Sequence, residues 1–259
     1  MKLPLNLISY ADDMIVLCSG ESWQTVQDTM NAILETVGDW LLSNELSLNV
    51  NKSVFIAFSS NNKNIPENIE IKINNSRLKK FNNFKYLGII FDSNLKWKNH
   101  VLEITNKTRY LLFVMYKLKQ NLLPSTLTSI YYALFHNIAI FGIVAWGGTY
   151  GNHIKPIVSL QNKLIKILNT NCDNEIMKIT ESFKLNALLY YYNNLKTVYI
   201  NNNSVTRNKS IKIPKIKKQL CYNRCYISAI RSFNKLPNNY KILEDKKKTL
   251  KNKLRKVIL

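Results

Sequence analysis

The start of the chain alternates between short apolar runs and polar breaks in a way that predicts paired β-strands. Residues 5–10 and 14–17 are largely apolar, and the break between them contains Asp12 and Asp13. Short apolar runs on both sides of a polar break are typical of two buried strands joined by a tight turn. The sequence therefore predicts a hairpin whose bend carries two adjacent carboxylates.

A helix is predicted directly after this hairpin. Ser22 is suited to cap its N-terminus near Trp23, and apolar residues then recur every three or four positions, which defines one buried helix face. These apolar residues are Val26, Met30, Ile33, Val37 and Leu41. Strand patterns follow at residues 54–58, at residues 69–73, where isoleucines alternate with polar residues, and at residues 84–92.

From residue 97 onward the periodicity becomes helical. A Leu-Pro-Ser break at residues 123–125 separates two long helices, of which the second covers about residues 126–146. A third helix is predicted over about residues 154–168. The aromatic residues of the second helix are expected to be core, and they are Tyr131, Tyr132, Phe135 and Phe141.

The charge balance points to a polyanionic partner. The 259 residues include 37 Lys or Arg and 16 Asp or Glu, which gives a formal net charge of +21. Nucleic acid is the first candidate and an anionic membrane surface is the second. From residue 207 to the end, 17 Lys or Arg stand against two acidic residues, so this segment contributes +15. Counterion release favours phosphate contacts there, with Lys215, Lys217 and Lys218 as candidates.

Other features argue against several classes of protein. The aspartates interrupt the first apolar run, so we expect no signal peptide. The apolar run at residues 130–146 is shorter than the roughly 20 residues that span a bilayer. The four cysteines show no secreted disulfide framework, which favours an intracellular location, either nucleus or cytoplasm. Cys221 and Cys225 lie at helical spacing, but two ligands do not complete a tetrahedral zinc site.

Asp12 and Asp13 are the strongest candidates for chemistry. Adjacent carboxylates repel each other and resist burial unless a cation neutralises them. Mg²⁺ prefers oxygen ligands and is commonly held by one or two carboxylates plus substrate phosphates. Two such ions roughly 4 Å apart can promote nucleotidyl transfer. A solvated turn without a metal is the simpler interpretation of the same two residues.

Several segments resemble, in order, parts of the reverse transcriptases. Residues 10–13, Tyr-Ala-Asp-Asp, resemble their catalytic hairpin, and a helix, a Leu-Ser-Leu-Asn turn at residues 46–49, Lys52 and a strand follow as in that family. Residues 86–88, Tyr-Leu-Gly, look like the primer-grip hairpin of the non-LTR retrotransposon enzymes. Residues 131–146 resemble the thumb region of jockey-like elements. The resemblance covers almost the whole sequence.

The resemblance implies an α+β fold with three parts. A truncated polymerase palm, made of antiparallel hairpins plus a helix, is expected at residues 1–92. A helical thumb is expected at residues 93–170, and a basic, mainly helical C-terminal segment at residues 171–259. The implied cofactor is Mg²⁺, held by an intact parent enzyme and bound weakly or not at all by this chain. The implied partners are an RNA template and a DNA primer or target, with no membrane.

The same resemblance implies a role for each candidate residue. Asp12 and Asp13 would bind the metal and act in catalysis. Lys52 would assist the departure of pyrophosphate, although a solvated lysine at a strand start is the alternative. A primer contact would be made by Tyr86, Leu87 and Gly88, for which a plain hairpin is the alternative. On the thumb, the phosphate-binding candidates are Lys155, Lys163 and Lys166, which a solvated helix face would also explain.

A polymerase palm also needs a third carboxylate and the fingers, which precede the Asp-Asp pair in this family, whereas eleven residues precede Asp12 here. We therefore expect a C-terminal fragment of an RNA-directed DNA polymerase of a non-LTR retrotransposon that is inactive alone. An exposed apolar edge of the incomplete palm would favour self-association. The alternatives are a non-catalytic nucleic-acid-binding protein and a non-functional transposon relic.

Overall fold

A computed structural model of the protein describes residues 7–59, 65–168, 176–194, 211, 213, 225–237, 251–252 and 254–255. Helices are combined with small two-stranded sheets, which confirms the α+β class. The chain divides into two compact units, Met1–Leu95 and Lys96–Leu259. The finer division at residues 92 and 170 remains a prediction.

In its described residues, the first unit consists of one long helix and four two-stranded sheets. Strands β1 (Leu7–Tyr10) and β2 (Asp13–Val16) form an antiparallel hairpin, and helix α1 (Trp23–Ser43) follows. A short 3₁₀ turn (Val50–Lys52) comes next. The later strands are β3 (Val54–Phe55), β4 (Lys72–Ile73), β5 (Ser76–Arg77), β6 (Lys79–Lys80), β7 (Asn83–Tyr86) and β8 (Ile89–Asp92). β3 and β6 pair in parallel, whereas β4–β5 and β7–β8 are antiparallel hairpins.

Helix α1 begins where the sequence predicts. The Thr25 N–H donates a hydrogen bond to the Ser22 side chain at 3.1 Å, so Ser22 satisfies one of the unpaired amides of the first turn. On the predicted apolar face, Val37 and Leu41 are buried and Met30 is half-buried. The prediction of the helix, its cap and its buried face is confirmed.

Two amide side chains of α1 hold the predicted strand at residues 69–73. The Glu70 N–H donates to Gln27 Oε1 at 2.9 Å, and the Lys72 N–H donates to Asn31 Oδ1 at 2.9 Å. Every second residue of the segment is buried, as the alternation predicts: Ile69, Ile71 and Ile73. Strand pairing is nevertheless restricted to β4, and before it both backbone groups of Glu70 bond to amide side chains of α1.

Two other predicted strands differ from the structure. Residues 54–58 pair with a neighbouring strand only over β3. Residues 84–92 were predicted as one strand but contain the β7–β8 turn. The chain reverses there because Leu87 and Gly88 both adopt positive φ, 44° and 83°.

The described residues of the second unit are mainly helical and share one hydrophobic core. Its helices include α2 (Lys98–Arg109), α3 (Leu111–Leu118), α4 (Pro124–Tyr131), a π-helical segment (Tyr132–His136), α5 (Asn137–Ile140), α6 (Ile143–Trp146), α7 (Gly151–Leu168), α8 (Ile179–Asn194) and α9 (Cys225–Lys235). Buried residues from α2 to α9 pack in the same cluster, so the later helices share the core of the earlier ones. Within the described parts of the chain, every helix is too short or too polar to cross a bilayer.

The second long helix of the sequence prediction is interrupted. Gly142 has a φ of 60°, a left-handed conformation that glycine adopts readily, and it separates α5 from α6. The Phe141 carbonyl next to this break accepts a hydrogen bond from the Trp146 indole Nε1 at 2.9 Å. The prediction of core aromatics is confirmed for Tyr131 and Phe135, but it is wrong for Phe141, which is exposed.

A fully buried amide joins three elements of the second unit. Gln161 Nε2 on α7 donates to the Tyr131 hydroxyl at 2.9 Å and to the Met177 carbonyl at 3.1 Å. The Ile179 N–H, in the first turn of α8, donates to Gln161 Oε1 at 2.9 Å. A buried amide whose donors and acceptor are satisfied fixes the register of the helices that it joins.

Candidate active site

The two aspartates lie at the bend of the β1–β2 hairpin, as the sequence predicts. Tyr10 pairs with Asp13, so the loop between the strands has two residues, Ala11 and Asp12. Ala11 has a φ of 53°. A positive φ at the first of two loop residues is the pattern of a type II′ hairpin turn, whose twist suits antiparallel strands. The bend therefore presents Asp12 in the loop and Asp13 at the first position of β2.

The two faces of this hairpin have different environments. Side chains alternate along a strand, so Asp13 lies on the same face as its pairing partner Tyr10 and as Ile8. Ile8 and Tyr10 are both more than half exposed. Val16, on the other face, packs against the core of the first unit. Asp13 is thus placed on the outward face, beside two apolar side chains that meet solvent.

The electrostatics of the bend suit a cation. Asp12 and Asp13 are both exposed, and in the described residues neither forms an ion pair with a basic side chain. Two adjacent carboxylates supply the anionic oxygen ligands that Mg²⁺ prefers. The described part of the chain contains no cluster of three or more acidic, His or Cys side chains arranged for a metal. The donor chemistry at the bend fits Mg²⁺ with two carboxylate ligands.

Lys52 lies at the end of the 3₁₀ turn, immediately before β3. Its backbone N–H donates to Asn49 Oδ1 at 3.2 Å, which fixes the turn, while its side chain is exposed. The side chain forms no ion pair with Asp12 or Asp13 in the described structure. Lys52 is therefore positioned as a free cation on the first unit, and its role in catalysis remains a prediction.

The residues predicted to contact a primer form the tip of the β7–β8 hairpin. Tyr86 pairs with Ile89, so Leu87 and Gly88 are the two loop residues, and both have positive φ. This is the sign pattern of a type I′ turn, in which Gly at the second position is favoured. Tyr86 is half-buried, whereas Leu87 is exposed. The hairpin thus presents an apolar side chain and a glycine backbone at its tip.

We expect Leu87→Asn to stabilise the first unit by about 0.5–1 kcal/mol, because asparagine tolerates the left-handed conformation better than leucine and Asn-Gly favours a type I′ turn. If the tip contacts a primer, the same change weakens binding of an RNA–DNA hybrid. Urea denaturation and fluorescence anisotropy measure the two effects separately.

The β4–β5 hairpin provides the control for Leu87→Asn. Its loop residues, Asn74 and Asn75, also have positive φ, so Asn75→Gly relieves backbone strain of the same kind. This change should leave binding unaffected. A loss of stability in Leu87→Asn would contradict the type I′ turn. An equal loss of binding in Asn75→Gly would contradict a primer contact at the β7–β8 tip.

The three lysines predicted on the thumb lie on one side of α7. Lys155, Lys163 and Lys166 are exposed, and their spacing in the helix places them on the face opposite to buried Ile157 and Leu164. They form a basic helix face of the second unit. The other predicted phosphate contacts, Lys215, Lys217 and Lys218, lie outside the described residues. Cys221, one of the two cysteines at helical spacing, also lies outside them.

One group of exposed aromatic residues was not predicted from the sequence. Tyr110, Phe113 and Tyr116 lie on or next to α3 and are all exposed. Their spacing of three residues was visible in the sequence, but the surrounding apolar residues concealed which face would be buried. The structure separates the two faces because Leu111 and Met115 are fully buried.

The segment that contains the β1–β2 and β7–β8 hairpins is similar to a known protein family. Residues 2–91 match the family described as reverse transcriptase (RNA-dependent DNA polymerase). The matched segment includes Asp12, Asp13, Lys52 and the tip of the β7–β8 hairpin. Residues 2–91 are therefore similar to part of a reverse transcriptase domain.

The chain is also similar to polymerases of mobile elements. It is 24% identical over 203 residues to the RNA-directed DNA polymerase from mobile element jockey of Drosophila funebris. That alignment covers 71% of this chain and 21% of the jockey protein. It is 26% identical over 170 residues to the probable RNA-directed DNA polymerase from transposon X-element of Drosophila melanogaster, which covers 64% of this chain and 18% of that protein. Both elements are non-LTR, LINE-type retrotransposons, which confirms the resemblance. The chain spans about a fifth of these relatives' length, and no solved structure is significantly similar to it.

Proposed function

We propose that this chain is the part of an RNA-directed DNA polymerase that binds the catalytic metal and the primer strand on an RNA template. The observation that carries the proposal is the position of Asp12 and Asp13. They lie at a two-residue bend, with both carboxylates exposed, inside the segment that matches reverse transcriptases. A solvated turn alone would not account for that match.

Asp12 and Asp13 are the proposed ligands of a divalent metal. Reverse transcriptases generally use divalent metal ions, and Mg²⁺ suits two carboxylate ligands. When bound, such an ion polarises phosphoryl oxygens and stabilises the charge that develops on them during nucleotidyl transfer. In the described residues no third acidic side chain joins the pair. We expect the working polymerase to complete its metal site with another segment, and we expect no templated synthesis by this chain alone.

A role is also proposed for each of the other predicted residues. Lys52 supplies a positive charge and a proton for departing pyrophosphate. The tip at Leu87 and Gly88 contacts the primer strand, where the absence of a side chain on Gly88 permits a close backbone approach. The basic face of α7 binds phosphates of the nucleic acid without sequence preference.

The free edge of the β1–β2 hairpin is a proposed site of self-association. In the described residues this sheet contains two strands, so the outer edge of each has no strand beside it. Ile8 and Tyr10 add exposed apolar surface on the same hairpin. Unpaired edges with exposed apolar side chains favour pairing with another chain.

A titration with Mn²⁺, which replaces Mg²⁺ and is detected by electron paramagnetic resonance, tests the proposed metal site. The double change Asp12→Asn and Asp13→Asn should weaken Mn²⁺ binding by roughly tenfold or more, because affinity for hard cations follows the number of charged oxygen ligands. Asp39→Asn is the matched control, since Asp39 is an exposed aspartate on α1 of the same unit. Equal Mn²⁺ binding by the wild type, the double variant and Asp39→Asn would contradict the proposed metal site.

A second function, nucleic-acid binding without catalysis, is favoured by the net charge of +21 and the basic face of α7. It predicts binding that depends steeply on salt, does not require Mg²⁺ and is indifferent to the aspartate changes. Mg²⁺-dependent binding that the aspartate changes abolish would instead support the polymerase assignment.

A further inference from the structure

Helix α3 carries a continuous row of exposed aromatic side chains. Tyr110, Phe113 and Tyr116 are 56%, 67% and 61% exposed. They follow one another at intervals of three residues, so they lie on neighbouring positions of one helix surface. We call these three residues the aromatic stripe. Leu111 and Met115 occupy the opposite, fully buried face of α3.

The stripe is not explained by the packing of the second unit. The core is already formed by the buried face of α3, and the stripe rings lie outside it. Single exposed apolar residues are common on proteins, but adjacent large ones mark an interaction surface. Three neighbouring aromatic rings in solvent therefore indicate a binding surface.

The charges around the stripe are positive. Lys117 Nζ lies 5.8 Å from the centroid of the Phe113 ring, within the range of a cation–π interaction. Lys107, Arg109 and Lys119 are also exposed on α2 and at the end of α3. From residue 98 to residue 120 the sequence contains five Lys or Arg and a single acidic residue. A ligand of this surface must offer flat faces for the rings and negative charge for the cations.

We propose that the aromatic stripe binds an unpaired segment of nucleic acid by stacking bases on its rings, while the neighbouring cations contact the phosphates. Unpaired bases present free faces, whereas the bases of a duplex already stack on each other. Aromatic rings beside basic side chains are the common means by which proteins hold single strands. The proposal rests on the nucleic-acid binding of the proposed function. It adds a preference for unpaired strands, which the phosphate contacts of the α7 face would not provide.

Charge complementarity favours this ligand over a second copy of the chain. The cations beside each stripe, Lys107, Arg109, Lys117 and Lys119, would repel those of a second stripe that packed against it. A single strand carries one negative charge per nucleotide and neutralises the same surface. Experiment can distinguish the two ligands, because self-association depends on protein concentration and binding of a single strand depends on salt.

Fluorescence anisotropy with the full chain tests the proposal, using an oligouridine of about 20 nucleotides and a duplex of the same length as probes. Phe113→Ala and Tyr116→Ala should each weaken oligouridine binding by about tenfold and duplex binding by less than about twofold, because each ring loses a stacked base. Phe113→Trp should retain oligouridine binding. Phe141→Ala is the matched control, since Phe141 is 55% exposed in the same unit but lies outside the stripe.

Each outcome decides a separate point. Unchanged oligouridine binding in both stripe variants, or an equal loss with Phe141→Ala, would overturn the proposal. Sedimentation that shows wild-type dimers and monomeric Phe113→Ala, with unchanged oligouridine binding, would assign the stripe to self-association instead. Lysine changes on α7 that weaken duplex binding while the stripe variants bind normally would leave the proposed function intact. A wild-type chain that binds neither probe would overturn both.

Discussion

Gln161→Leu is expected to lower the free energy of unfolding of the second unit by about 3 kcal/mol, because leucine has nearly the same size but leaves buried polar groups without partners. Those groups are the Ile179 N–H and the Met177 carbonyl, which bond to the Gln161 side chain. The Tyr131 hydroxyl loses its bond to the same side chain. Urea denaturation followed by circular dichroism measures the change.

The neighbouring residue provides the control for Gln161→Leu. Asn162 lies next to Gln161 on α7 but is exposed, so Asn162→Leu should change the free energy of unfolding by less than about 0.5 kcal/mol. A loss below about 1 kcal/mol in Gln161→Leu would contradict the account, because it would mean that water or other groups satisfy the buried partners.

The effect of Gln161→Leu should not depend on pH near neutrality. Burial raises the pKa of Tyr131 to about 12, and the hydrogen bond from Gln161 partly offsets that rise. A raised tyrosine pKa means that the folded state binds the proton more tightly than the unfolded state. The resulting stability is therefore complete below pH 10, the ordinary pKa of tyrosine, and is lost as the pH rises toward 12.

Replacing Lys155, Lys163 and Lys166 together by glutamine is expected to weaken binding of an RNA–DNA hybrid by roughly 100-fold at about 0.1 M salt. Each phosphate contact contributes about 0.9 to the slope of log affinity against log salt, so the slope should fall by about 2.7. Fluorescence anisotropy across a salt series measures both quantities.

The control removes the same charge elsewhere in the second unit. Lys178, Lys184 and Lys235 are exposed on or beside α8 and α9, and their replacement by glutamine lowers the net charge by the same amount. A smaller effect in this control would locate the contact on α7. Equal losses in both triple variants would mean that net charge, and not the α7 face, determines binding.

The sequence predicts the elements whose signals are local. Ser22 and the apolar positions of α1 define that helix, and the polar break at Asp12 and Asp13 defines the first hairpin, because caps and turns depend on a few adjacent residues. The bend that carries the two aspartates could therefore be located from sequence alone. The carboxylates could not be assigned a metal by the same reasoning, since a solvated turn has an identical local pattern.

The remaining features depend on tertiary contacts or on strained backbone. Leu87 adopts a positive φ that its side chain disfavours, so the apolar pattern continued across the β7–β8 turn and concealed it. The break at Gly142 is similarly hidden in an apolar run. Gln161 reads as a polar surface residue until α4 and the start of α8 surround it. The aromatic stripe became visible only when Met115 fixed the buried face of α3.

Cleavage of a bound primer and template by Fe²⁺ tests whether Asp12 and Asp13 hold a metal ion at the end of the primer. Fe²⁺ substitutes for Mg²⁺ at carboxylate ligands and, with ascorbate and peroxide, produces hydroxyl radicals that cut nucleic acid close to the metal. We expect cuts concentrated near the primer 3′ end with the wild-type chain and with Asp39→Asn, and none above background with Asp12→Asn/Asp13→Asn. Cuts spread evenly along the duplex, or an unchanged pattern in the double variant, would contradict this expectation.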